Sequence, residues 1–300
     1  MDAALRLALE RAVMDATRED YAIRAVAPVS GGCIHTALRL DGEDATGRVK
    51  HFVKIAEAER AALLEAEADG LAAIAKAGAV RVPAILAQGG DDDHAWLVLE
   101  WLELAPLAGA SGAALGAALA AQHRVPFAKF GWERDNFIGA TPQKNGWHDD
   151  WLDFWRERRL HAQLRLAAAN RYPSRLMDRG ERLLADCEAL FRGHTPKPSL
   201  LHGDLWGGNA AALADGTPVV FDPAVYCGDR EADVAMTRLF GGFPADFHAA
   251  YREAWPLADG HEARRDFYNL YHVLNHANLF SGDYVAQSVA LVDKVLAEFA

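Results

Sequence analysis

The apolar pattern of this chain changes once, near residue 101, and that change constrains the fold more than any single motif. Up to that point short apolar runs alternate with turns: Ile23 to Val29, the turn Ser30-Gly31-Gly32, Ile34 to Leu40, a polar turn Asp41 to Gly47, and Val49 to Ile55. Such alternation predicts antiparallel strands. Ala58 to Ala77 interrupts it with Ala, Leu and Glu, good helix formers, and Gly78 supplies a stop. Val82-Pro83 opens an extended stretch, Asp91 to Asp93 makes a turn, and Trp96 to Trp101 closes the sheet. An earlier helix, Asp2 to Thr17, aligns Leu5, Leu9, Ala12 and Val13 on one stripe. Beyond residue 101 helices dominate: Ser111 to His123, Asp149 to Ala169, Pro173 to Arg192, and more after Arg230. Short apolar runs interrupt them between Ser199 and Asp222. The expectation is an α+β protein of two lobes, residues 1–101 rich in strand and residues 102–300 rich in helix, hinged at 100–104.

Charge and cysteine content then remove whole classes of function. The 300 residues carry a formal net charge of −11, which opposes binding to an anionic nucleic-acid backbone. Cys33, Cys187 and Cys227 are odd in number and far apart, so neither a disulfide framework nor a zinc knuckle is indicated, which suits a reducing cytoplasm. The first twelve residues carry Asp2 and Glu10 and lack the basic leader of a secretory signal. Leu104 to Ala121 has no charge, but its Ala, Gly, Pro106 and Ser111 make it too weakly apolar for a membrane span; it reads as a buried helix.

The chemistry concentrates in His202-Gly203-Asp204-Leu205-Trp206-Gly207-Gly208-Asn209, followed by Val219-Val220-Phe221-Asp222. Asp204 and Asn209 have the spacing of a phosphoryl-transfer catalytic loop, H-x-D-x-x-x-x-N, and Asp222 ends a strand beyond it. Such a reaction needs a carboxylate beside the attacking hydroxyl and hard oxygen ligands for Mg²⁺. Asp204 is therefore the candidate that accepts the proton, and Asn209 and Asp222 are the candidate magnesium ligands. Each alone would read as a turn residue, but the joint pattern favours the site.

The N-terminal half offers matching partners. Ser30, Gly31, Gly32 and Cys33 form a turn between strands whose N–H groups can approach phosphates. Lys54, within Phe52-Val53-Lys54-Ile55, has the form of a strand lysine that reaches the α- and β-phosphates. A carboxylate must hold it, and the next helix supplies Glu65 and Glu67, which cannot share one face; Glu67 is the choice and Glu65 the alternative. The connector Glu100, Trp101 and Leu102 is placed against the adenine of ATP. Cys33, beside the phosphate turn, is a candidate redox-sensitive thiol, with a small buried hydrophobe as the plainer reading.

Together these residues resemble the kinase-like phosphotransferases, and in detail the fructosamine kinase (ketosamine-3-kinase) family, related to the aminoglycoside phosphotransferases. The resemblance rests on Gly31-Gly32-Cys33-Ile34, His202 to Asn209, Asp135-Asn136-Phe137-Ile138-Gly139 with Gln143, Asn145, Gly146 and Trp147, and Trp151 to Leu160. Gly228-Asp229-Arg230-Glu231-Ala232-Asp233 and Leu274-Asn275-His276 add to it. It implies a protein-kinase-like two-lobed fold and ATP- and Mg²⁺-dependent phosphorylation of the 3-hydroxyl of ketoamines formed by sugars on amines. The acceptors it implies are glycated small amines or glycated protein lysines, and the consequence is deglycation. The chain departs from the protein-kinase pattern by Asp222-Pro223-Ala224 in place of D-F-G and by the lack of an activation segment.

Asp135, Asn136, Trp206, Glu231 and His276 are candidate acceptor contacts, although for Glu231 and His276 a structural role is the favoured reading. Asp233, at the start of a helix, is a candidate brace for the catalytic loop. Trp147, Trp151, Phe154 and Trp155 read as core. Two other readings stay open: a kinase of another amine or sugar, such as an aminoglycoside or choline, and a nucleotide-binding scaffold without catalysis.

Overall fold

In a computed structural model, which describes residues 1–29 and 35–298, the first third of the chain is an antiparallel sheet flanked by two helices. Ser30, Gly31, Gly32, Cys33 and Ile34, the expected phosphate turn and redox thiol, lie outside the described residues. Helix α1 (Ala3–Thr17) starts where the Asp2 side chain accepts from the Leu5 N–H, and its buried stripe is Leu5, Leu9 and Val13. The sheet has the order β1 (Tyr21–Pro28), β2 (Thr36–Asp44), β3 (Gly47–Glu57), β5 (His94–Glu100), β4 (Ile85–Gly90). The stripe of α1 packs with Tyr21, Ile23, Leu40, Val53 and Val98 into a core at one face of the sheet. Burying each such aliphatic side chain contributes about 1.5–3 kcal/mol.

The other face meets helix α2 (Ala61–Ala77), which ends at Gly78 in the left-handed conformation. A second core joins Leu64, Leu71, Leu97 and Leu99 to Leu115, Leu119, Leu200, Val220 and Phe247, so apolar packing is continuous between the sheet and the helices that follow it. The polar turn expected over Asp41 to Gly47 is shorter: β2 runs on to Asp44, which pairs with Gly47 and accepts from the Thr46 N–H. The charges of this segment are compatible with a strand because one of its faces is solvated.

Helix α3 (Gly109–His123) occupies the uncharged stretch and crosses α8 (Ala245–Ala254) closely; a Cβ on Gly116 would lie 2.3 Å from the Phe247 carbonyl oxygen. Among the described residues no helix is long and apolar enough to cross a membrane. The stretch from Asn136 to Trp147 and its surroundings are built from short strands. β7 (Asn136–Ile138) pairs with β8 (Thr141–Gln143), while β6 (Phe130–Trp132) and β9 (Gly146–His148) extend the pair β10 (Ser199–Leu201) and β13 (Tyr226–Gly228).

The expected helix Asp149 to Ala169 comprises α4 (Trp151–Trp155), one π-helical turn (Arg156–Leu160) and α5 (His161–Ala169). The widened turn coincides with Arg159 being fully buried, its guanidinium 4.5 Å from the Phe154 ring and 4.2 Å from that of Tyr226. Helix α6 (Ser174–Asp186) stops short of Arg192 and gives way to a 3₁₀ turn at Cys187–Phe191. Trp151, Phe154 and Trp155 are core, whereas Trp147 is exposed. The hairpin β11 (Ala210–Ala212) and β12 (Pro218–Val220) precedes α7 (Glu231–Met236), and α9 (His261–Phe280) with α10 (Asp283–Ala297) completes the helical part.

Candidate active site

Strand β10 delivers the chain into the loop 202–209, and buried hydrogen bonds fix its shape. The His202 ring donates from Nε2 to the Phe221 carbonyl at 3.0 Å and accepts at Nδ1 from the Asp204 N–H at 3.3 Å. Burial pushes its pKa down, keeping the ring neutral in that tautomer. Gly203 has φ +81°, and a Cβ there would lie 2.1 Å from the Ala224 carbonyl oxygen, so no other residue fits. Gly203→Ala is expected to cost at least about 2 kcal/mol of stability; an unchanged denaturation midpoint would show that the turn relaxes freely.

Beneath the loop Asp233 is 2% exposed and accepts from the N–H groups of His202 at 2.7 Å and Gly203 at 2.9 Å. His123 Nε2 lies 3.2 Å from the same carboxylate, and His123 Nδ1 meets the Tyr251 hydroxyl at 2.9 Å. Burial opposes the Asp233 charge, but the hydrogen bonds from His123 and the loop outweigh it and hold its pKa below 3.8. The loop is thus tied through one carboxylate to α3 and α8.

Above the loop, Asn209 Nδ2 donates to the Asp204 carbonyl at 2.9 Å and to Asp204 Oδ2 at 3.2 Å. It also lies 3.4 Å from the Asp222 carbonyl. Asp222 follows β12 with φ +57°, a conformation uncommon for a residue with a side chain. Its Oδ1 lies 2.6 Å from Lys54 Nζ, which sits 2.7 Å from both oxygens of Glu67. Burial would lower the Lys54 pKa, yet the Glu67 and Asp222 carboxylates outweigh it and raise it above its ordinary value, so the ammonium stays charged. Burial first, and the Asp222 charge second, push the Asp204 carboxyl up to about 7.

Of the two acidic candidates on α2, Glu67 therefore meets Lys54, while Glu65 faces outward toward Arg134. One group near the site was not anticipated. The His35 ring is half-buried, and its Nδ1 has no partner among the described residues. Burial and the Lys54 charge push its pKa down to about 4. Its position just after the glycine turn was the only signal for it in the sequence.

Other candidates have different surroundings. Asn136 is 3% exposed, donating to the Val225 carbonyl at 2.7 Å and accepting from Gln143 and Asn145, so it braces the fold and does not line a cleft. Asp135 is exposed and paired with Lys144. Glu231 is also corrected: Arg264 binds both of its carboxylate oxygens inside the protein. Arg81 and the Ala84 N–H occupy the Glu100 carboxylate, Trp101 donates to Glu103, and Leu102 is half-buried. Trp206 is partly exposed and lies edge-on to Phe240, whose ring lies 4.3 Å from that of His276; the His276 Nδ1 meets the His272 carbonyl. Trp206 and His276 thus share an aromatic rim with Phe240 and Tyr284.

The donor set suits a magnesium nucleotide. Asn209 Oδ1 accepts no hydrogen bond among the described residues, because Nδ2 makes all the amide's contacts, and the Asp222 side chain is 45% exposed. An amide oxygen and a carboxylate are ligands Mg²⁺ takes, and a charged lysine lies beside them for a phosphate.

A model of the fructosamine kinase family matches residues 7–298. The chain belongs to the fructosamine kinase family. It is 43% identical over 288 residues to a probable ketoamine kinase of Synechocystis sp., covering 95% of this chain and 94% of that protein. It is 37% identical over 281 residues to a chloroplastic protein-ribulosamine 3-kinase of Arabidopsis thaliana, covering 91% and 83% of the two chains. A crystal structure from Thermobifida fusca, provisionally named a fructosamine-3-kinase, has a TM-score of 0.83 at 32% identity over 96% of this chain and 98% of that one.

Proposed function

We propose that this member of the fructosamine kinase family is an ATP-dependent ketosamine 3-kinase. It phosphorylates the 3-hydroxyl of ribulosamine or fructosamine adducts on small amines or protein lysines and so leads to deglycation. One observation carries this reading: residues from distant segments, Lys54, Glu67, Asp204, Asn209 and Asp222, meet at one place in a chain matched by the family model along nearly its whole length. The ketoamine and ribulosamine kinases it is similar to support the acceptor class.

In this reading ATP lies between sheet and helices, with Lys54 on the α- and β-phosphates and the 100–104 connector as a hinge against adenine; Ser30 to Cys33, the candidate phosphate contacts, lie outside the described residues. Asn209 Oδ1 and Asp222 would hold Mg²⁺, which supplies charge neutralisation for the nucleotide phosphates. Asp204, ionised, takes the proton of the acceptor hydroxyl as that oxygen bonds to the γ-phosphorus and the bond to ADP breaks. Glu67 keeps Lys54 extended. The rim of Trp206 and His276 stands beside the catalytic loop, where an acceptor would enter. A protonated ketoamine nitrogen suits a protein of net charge −11. Residence in the cytoplasm belongs to the same proposal, supported by the buried free thiols Cys187 and Cys227.

The test is a ³¹P NMR and mass-spectrometric assay with Mg-ATP and, separately, ribulose-lysine, fructose-lysine, an aminoglycoside and choline. A new phosphomonoester on carbon 3 of a ketoamine, with equivalent ADP, is the expected result. Phosphorylation of only the aminoglycoside or choline would overturn the acceptor, and ATP binding with no transfer at all would overturn catalysis.

A further inference from the structure

A second charged site lies on the helical part. A half-open cavity of about 220 Å³ is lined by the outer face of α7, the end of α8 and the start of α9, with Arg238, Arg252, Arg265 and His261 on its wall. Positions 231, 234, 235 and 238 fall on one side of the α7 segment by helical spacing and line this cavity, while Asp233 points the other way, to the catalytic loop. Two acidic residues share the lining. Glu231 is bound by Arg264, whose guanidinium is fully buried, and Glu262 pairs with His261 at 3.2 Å. Arg265 meets Asp266, which Lys294 also holds at 2.6 Å. Arg238 and Arg252 have no acidic partner among the described residues.

Two arginines with no ion-pair partner on one wall are unusual in a chain with eleven more acidic than basic residues by formal charge, 42 against 31. The positive potential they create is felt by their neighbours. Burial, and then the charges of Arg252 and Arg265, lower the Arg238 pKa against the smaller opposing pull of Glu262, and burial followed by Arg238 and Arg252 pushes His248 down to about 4. Mutual repulsion of this kind is relieved by an anion placed between the guanidinium groups, which bind phosphate oxygens in bidentate fashion. The start of the long helix α9 adds backbone N–H groups and the positive end of its dipole to the same wall.

We propose that the cavity between α7, α8 and α9 binds a phosphate dianion, held by Arg238 and Arg252 with Arg265 and the first turn of α9. The volume exceeds several times the ~30 Å³ of a water molecule, leaving room for bare phosphate or for the phosphoryl end of a small phosphomonoester. The site is distinct from the nucleotide site and does not depend on the proposed reaction.

The test titrates inorganic phosphate and, separately, glycerol 3-phosphate into the full-length protein, following binding by calorimetry and the His261 ring resonances by NMR. His261 shifts are expected on addition. Arg238→Gln/Arg252→Gln is expected to weaken binding by at least about tenfold, the loss of two charge-assisted contacts, with the melting temperature of the ligand-free protein not lowered. Tighter binding of glycerol 3-phosphate than of phosphate identifies an ester as the ligand, and the reverse order identifies free phosphate. Absence of His261 shifts in the parent, or equal affinity in parent and double variant, overturns the proposal. Anion binding in the nucleotide site would give the second of these results.

Discussion

Asp204→Asn is expected to lower turnover by at least about a hundredfold, the lower end for a positioned acid–base group, while Mg-ATP binding changes little. The substitution keeps shape and the contact with Asn209 but removes the proton acceptor. In the parent, kcat/KM is expected to fall about tenfold per pH unit below about 7, because the Asp204 carboxyl, raised from 3.8 to about 7, must lose its proton to act. Turnover retained by the variant, or a flat profile between pH 5 and 7, would remove Asp204 from the chemistry.

The same shift makes a stability prediction of opposite sign. A carboxyl whose folded pKa lies above its unfolded value stabilises the fold while protonated, and that contribution is lost as pH rises through the folded pKa. The ligand-free Asn variant is therefore expected to become more stable than the parent as pH rises from about 4 through about 7, by on the order of 4 kcal/mol, and to hold a constant advantage above about 8. Thermal melts across that range measure the difference. A parent more stable than the variant at pH 8 would contradict the buried-charge account.

Asp233→Ala is expected to cost about 3–5 kcal/mol, the range for removing one member of a buried, charge-assisted network. The His202 and Gly203 N–H groups and the His123 ring would then lose their acceptor within the protein. Because those N–H groups belong to the loop that carries Asp204, turnover should fall as well, even at temperatures where the variant remains folded. Asp233→Asn keeps an oxygen acceptor and should recover part of both losses. Its own pKa is depressed, so the contribution of Asp233 is present above about 4 and fades as pH falls below that. Denaturation of Asp233→Ala at the parent's midpoint would show that the loop holds its shape without the carboxylate.

How far the sequence can be read differs between residues for a physical reason. Asp204 and Asn209 were legible because both sit on one short loop, so their spacing alone sets their separation. Asp222 and Lys54 were legible because a charged residue at the end or middle of an apolar strand has few places to go. The choice of Glu67 over Glu65 could be framed but not closed, since positions two apart on a helix point in different directions and only the docking of α2 against β3 selects one. Asn136 was misread as an acceptor contact, and Glu231 was carried as a candidate beside its favoured structural reading, because their partners, Val225 and Arg264, lie 89 and 33 residues away along the chain. His35 passed unnoticed because a lone histidine carries no spacing pattern, only its place shortly after Ser30-Gly31-Gly32.

The order of the chain therefore determined a great deal by itself: a strand-rich first part, a helix-rich remainder, the family, and which side chains are the candidate metal ligands and proton acceptor. Apolar periodicity and loop spacing are local, and local patterns survive in one dimension. Only the folded chain decided which carboxylate holds Lys54 and which of the other polar candidates are braces, whereas Asp233 was already a candidate tie for the loop 202–209 and the fold bore it out. A buried polar group takes its partner from whatever segment packing brings within about 3 Å, and that choice has no trace in its neighbours along the chain.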